Sequence, residues 1–228
     1  MVDVGHVTDR RNWVIPVKPV ELRQGGRLSR LRRFPPRSCA QGYTSAMAVL
    51  GFLPGFSHRR HERAGFALYA ALTAAAREPE LYLRYRLPDT LDGRFDALAL
   101  YAVLVMIRLS ADSAPGPAVA QAVFDAMFSD LDLTLREMGA GDPTVPRKMK
   151  VMWDALHGRA LAYQKALANP EDEGLIDALE RNIWRGSVPD PEVAGQLARL
   201  VRAQAAHLAT QALGALTSGQ VTFLPVSP

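Results

Sequence analysis

The stretch FDAMFSDLDLTLREMGAGDPTVPRKMK at residues 124–150 decides the fold. Val123, Phe124, Met127, Phe128, Leu131, Leu135 and Met138 recur at the three- and four-residue steps of one helix face. Gly139 and Gly141 fit a helix stop, and Pro143 prevents continuation. A second apolar stripe then runs through Val145, Met149, Met152, Trp153, Leu156, Ala160, Tyr163 and Leu167. This spacing predicts two amphipathic helices, 118–138 and 144–168, joined by a tight break.

The same period extends outward. An Ala-rich helix is expected over 64–77, with Pro79 just past its end. The run Leu87-Pro88-Asp89-Thr90 reads as a helix start, with Asp89 or Thr90 as cap. The helix it opens, 91–109, is apolar almost all round and so belongs at the centre of a bundle. Asn169-Pro170 and Asp190-Pro191 each read as an N-cap followed by proline at the first helical position, opening helices over 170–185 and 191–216. No alternating pattern of useful length argues for a sheet, and Val221–Leu224 is too isolated to count. The expected fold is all-α: a single bundle of six or seven helices over 63–218, with a tail at 219–228.

Residues 1–62 show no sustained period and are rich in Arg, Gly and Pro, as in RQGGRLSRLRRFPPR at 23–37. They are expected to form a basic arm of low order. Three readings of this arm compete: a start placed upstream of a true one at Met47, a disordered arm or transit peptide, and a secretory signal with its apolar region at 46–56. Residues 1–63 carry twelve Lys/Arg against four Asp/Glu, a balance of +8, while 64–228 carry fifteen against nineteen, a balance of −4. The net charge of +4 therefore describes the arm, and DNA binding by the folded body is not expected. One cysteine, Cys39, excludes an internal disulfide framework and a Cys-based zinc site. The longest strongly apolar helical run, 97–107, has eleven residues, against about 20 needed to span a bilayer.

Local chemistry argues for binding more than catalysis. The chain holds no G-x-S-x-G, P-loop or G-x-G-x-x-G motif, and no Glu-x-x-His pair. Asp92 and Asp96 in DGRFD share a helix face at i, i+4. Such a pair can chelate Mg²⁺ for a prenyl diphosphate, but the second acidic motif that chemistry needs is missing. First-turn acids that complement the helix dipole, or a pairing with Arg94, account for them more simply. On the next helix Asp125, Ser129, Asp132 and Arg136 form a polar stripe, with an Asp132–Arg136 ion pair expected. Arg147, Lys148 and Lys150 break a local rule, because cations in a first turn face the positive end of the dipole. Either acids such as Glu137 or Asp142 neutralise them, or they await an anionic partner, a lipid headgroup or an RNA phosphate.

Three stretches, taken in order, resemble the ubiquinol–cytochrome c chaperone family: LPDTLDGRFD at 87–96, FDAMFSDLDLTLREMGAGD at 124–142, and RKMK with HGRALAYQKAL at 147–150 and 157–167. The resemblance implies an all-helical, non-enzymatic factor without cofactors that assists assembly of the cytochrome bc1 complex. It implies newly made cytochrome b as client, with the ribosome and a second assembly factor as further partners. It places the chain in the cytoplasm or at the cytoplasmic face of the inner membrane, or in the matrix of a mitochondrion. Asp92, Arg94, Asp96, Asp125, Asp132, Arg136, Arg147, Lys148, Lys150 and Arg159, which lie in these stretches, become the candidate partner-binding residues.

Overall fold

Eight helices and no strand make up the described residues, 54–187 and 190–226, of the computed structural model. They are α1 (Pro54–Ala76), α2 (Pro79–Leu83), α3 (Leu91–Ser110), α4 (Gly116–Glu137), α5 (Val145–Leu167), α6 (Glu173–Ile183), α7 (Pro191–Thr210) and α8 (Leu213–Thr217). The all-α expectation holds. The expected start at Met47 and most of the basic arm lie outside the described residues.

α3 is the axis. It packs against α1, α4, α5, α6 and α7, and burial runs unbroken from Ala99 to Met106. That is the outcome expected of a helix apolar on every side. Its start is set by Thr90, whose hydroxyl accepts from the Gly93 amide at 3.1 Å. α1 and α4 cross at close range. A Cβ on Gly65 would lie 2.6–2.7 Å from the backbone and Cβ of Ala122, so only glycine permits this approach.

Four boundaries differ from the sequence reading. α1 begins at Pro54, inside the segment assigned to the basic arm. Arg59, Arg60 and Arg63 are exposed, and among the residues whose burial is described the first buried one is Ala64, where the apolar period also starts. Pro79 does not merely end a helix; it opens α2, which buries Leu81.

α6 begins at Glu173, not after Pro170. The Arg202 guanidinium donates to the carbonyls of Asn169 and Glu171, both at 2.9 Å, and to the Asp172 carboxylate at 2.8 Å. Those carbonyls are thereby removed from any helical ladder. The helix expected over 191–216 is two. Asp190 caps it as expected, accepting from the Glu192 amide at 2.9 Å. It stops because Arg108 takes the carbonyls of Leu208 at 3.0 Å and Gln211 at 2.8 Å.

The tail is a packed strap. The buried Gln204 amide accepts from Leu224 N at 2.9 Å and donates to Leu224 O at 2.7 Å. Gln211 grips Thr222 in the same reciprocal way, at 3.0 and 2.7 Å. Between these grips Phe223 sets its edge on Tyr101 of α3, with ring centroids 5.2 Å apart.

Candidate functional site

α1, α3, α4 and α5 diverge to leave a cleft of about 700 Å³. Its walls are apolar side chains of three helices: Phe95 and Leu98 of α3, Leu131 and Leu135 of α4, Met152 and Ala155 of α5. Asp96 and Arg159 lie on its floor, and Arg147, Lys148 and Arg185 stand among its lining cations. Six cations line the cleft against three carboxylates (Asp92, Asp96, Asp130), so its lining carries an excess of positive side chains.

The floor is a buried ion pair. Arg159 Nη2 donates to Asp96 Oδ1 at 2.5 Å, with side-chain exposures of 10% and 1%. Arg185 Nη2 lies 3.4 Å from both Asp96 Oδ2 and Asp92 Oδ2. It reaches them from a left-handed backbone, φ +54, just past the end of α6. Burial lifts the Asp96 carboxyl above the usual carboxylate range, more than Arg159 and Arg185 pull it down. Two polar groups beside the pair are left over. Arg159 Nε and the Tyr163 hydroxyl are buried without a hydrogen-bond partner; Asn182 approaches the hydroxyl without reaching standard geometry. The Arg159 guanidinium also lies 5.6 Å from the centre of the Phe95 ring.

Between α1 and α4 the Tyr69 hydroxyl donates to Asp130 Oδ2 at 2.6 Å. Burial, then the hydrogen bond to Asp130, holds the Tyr69 phenol far above its ordinary value, so it remains a donor at neutral pH. This bar separates the cleft from a shallower ledge carrying Phe66 and Leu133.

Six of the ten candidate residues meet at the cleft: Asp92, Arg94, Asp96, Arg147, Lys148 and Arg159. Asp96 is buried, and its role is not that of an acid complementing the helix dipole. Its partners are 63 and 89 positions away, which local spacing cannot show. Arg94 pairs with Asp89 at 2.7 Å, not with Asp92 or Asp96. Asp92 and Asp96 share the Arg185 guanidinium and do not converge on an open cation position.

The other four lie away from the cleft. Asp125 accepts from Gln121 at 2.8 Å. Asp132 pairs with Arg136 as expected, at 2.7 Å. Arg136 also takes Asp142 at 2.7 Å, so Asp142 does not neutralise the cations that open α5. Lys150 pairs with Asp154 of its own helix at 2.6 Å. Arg147 and Lys148 have no ion pair among the described residues. Sequence reasoning missed Arg185, Tyr69 and Arg77. Arg185 carried one faint signal: a basic residue before glycine at a helix end.

The family model described as ubiquinol-cytochrome C chaperone matches residues 83–223, which span α3 to the strap. The chain belongs to the ubiquinol–cytochrome c chaperone family. Relatives of this family member agree in sequence and shape. It is 23% identical over 164 residues to ubiquinol-cytochrome-c reductase complex assembly factor 1 of Xenopus laevis, covering 72% of this chain and 82% of that protein. Its fold matches the crystal structure of the Cbp3 homolog from Brucella abortus with a TM-score of 0.67 and 31% identity, over 75% of this chain and 94% of that one. Among the described residues no helix of this chaperone-family chain is long and apolar enough to cross a membrane.

Proposed function

We propose that this chain is a non-enzymatic assembly factor of the ubiquinol–cytochrome c reductase complex, with newly made cytochrome b as its client. The observation that carries this reading is the cleft: apolar walls and a positive lining, in a member of an assembly-chaperone family. The name of the Xenopus relative supports the same target complex.

The chemistry of the cleft favours holding over turnover. Its buried carboxylate is engaged by two arginines, and its buried phenol at Tyr69 already donates to Asp130. Neither group is free to take a proton from a bound molecule. A chain that meets a membrane protein from the water side needs no span of its own. This fits action at the cytoplasmic face of the inner membrane, or the matrix face in a mitochondrion. The ribosome and a second assembly factor are proposed as further partners at that place.

The test is deletion of the gene, followed by measurement of assembled complex by native gel and of haem b by difference spectrum. The proposal expects both to fall and to recover with the wild-type chain. Normal complex in the deletion strain refutes it.

A further inference from the structure

We infer that the cleft receives one helical segment of a client, apolar along one face and bearing a carboxylate beside that face. The inference rests on the assembly-factor reading and deepens it by naming the chemistry of what is held.

Length comes first. On α5 the cleft extends from Arg147 to Arg159, twelve residues apart, which is about 18 Å or roughly three turns of a helix lying alongside. Width decides between two apolar occupants. Leu91, Met138 and Val151 line the cleft and are each more than half exposed. An acyl chain is thinner than a helix and would lie inside, leaving this rim wet. A helix, about 10–12 Å across with its side chains, would cover it. Beyond the Tyr69–Asp130 bar, Phe66 and Leu133 are also more than half exposed, so the apolar track continues where a helix end would emerge.

Charge sets the remaining requirement. Arg147 and Lys148 lie in the first turn of α5, facing the positive end of its dipole, and neither forms an ion pair among the described residues. On the floor the Arg159 side chain is nine-tenths buried, lines the cleft, and its Nε lacks an acceptor. Arg147 and Lys148, without ion pairs beside apolar walls, favour an anion there, and Arg159 adds positive charge beneath them. One carboxylate on an apolar helix satisfies both demands. A nucleic-acid backbone would present many charges to apolar walls and to Asp92 and Asp130.

The probe is a fluorescein-labelled synthetic peptide of about 18 residues, five helical turns, with leucines at i, i+3, i+4 and i+7 and one glutamate flanking the stripe. A twin carries lysine for glutamate, a third copy has a central proline, and sodium oleate serves as the acyl competitor. Binding to the full chain is read by anisotropy. The glutamate peptide should bind at least about tenfold tighter than the lysine twin, a difference typical of a well-placed charge pair. Arg147→Glu/Lys148→Glu should reverse that preference, and Val151→Asp should weaken both peptides, each with an unchanged circular-dichroism spectrum. The proline copy should bind poorly. Absence of binding, equal binding of the twins, or a preference unchanged in the double variant overturns the inference. So does oleate binding that ignores Val151→Asp and displaces the peptide fully, since that assigns the cleft to an acyl chain. Loss of the complex in the deletion strain without any peptide preference removes this inference and leaves the assembly reading intact. Peptide preference with normal complex does the opposite.

Discussion

Replacing Asp96 with alanine should be among the most damaging single changes in this chain. The substitution deletes a carboxylate that is 1% exposed and strands the Arg159 guanidinium beneath the cleft. Arg159 already has one unpartnered nitrogen, so no nearby acceptor is in reserve. Removing one member of a buried pair costs about 3–5 kcal/mol, because the survivor stays charged and desolvated. For a body of this size that is roughly 6–20 °C in melting temperature. An exposed first-turn acid would have cost only about 0.3–1 kcal/mol. Urea unfolding followed by tryptophan fluorescence measures the difference, with Trp184 buried and Trp153 half-buried as reporters. Asp96→Ala/Arg159→Met should recover most of the loss, since an apolar pair leaves no stranded charge. A loss under about 1 kcal/mol for the single change, or no recovery in the double, would show that the pair does not hold the floor.

Three further outcomes follow from the same structure. Burial raises the Asp96 carboxyl, so its contribution is fully present below the ordinary value of about 3.9 and fades as pH rises through the higher native value. Wild-type stability measured against Asp96→Asn should therefore fall from about pH 4 toward neutrality; a rise over that window contradicts the assignment. Gly65→Ala should destabilise although alanine gains about 1 kcal/mol of helix propensity, because the clash is with Ala122 backbone, which cannot rotate aside. Gly158→Ala, with open space around its Cβ, should stabilise α5 by about 0.5–1 kcal/mol, and equal effects at the two sites in thermal melts would refute the close crossing.

What the sequence disclosed was what neighbouring residues determine. The apolar run of α3, the stripes of α4 and α5, the Thr90 and Asp190 caps and the Asp132–Arg136 pair are all built from steps of one to four residues. The dipole conflict at Arg147 and Lys148 was also local, and it marked two residues of the cleft. Distant side chains settled the rest. Arg202 moved the start of α6 by holding carbonyls 31 and 33 positions away. Arg108 holds the end of the last long helix from 100 and 103 positions upstream. The floor of the cleft needed α3, α5 and the end of α6 to meet before Asp96 and Arg159 had a common meaning. Periodicity contains no term for such meetings.

The strap sets a timetable for closing the core. Phe223 covers Tyr101, a residue made 122 positions earlier. At roughly 5–20 residues per second of synthesis, α3 waits about 6–24 s for its last cover, while helices themselves form within about a microsecond. During that interval the central helix has one side open to whatever is nearby. The chain thus passes through an unfinished state of its own, and Gln204 and Gln211 can end that state only once residues 222–224 arrive.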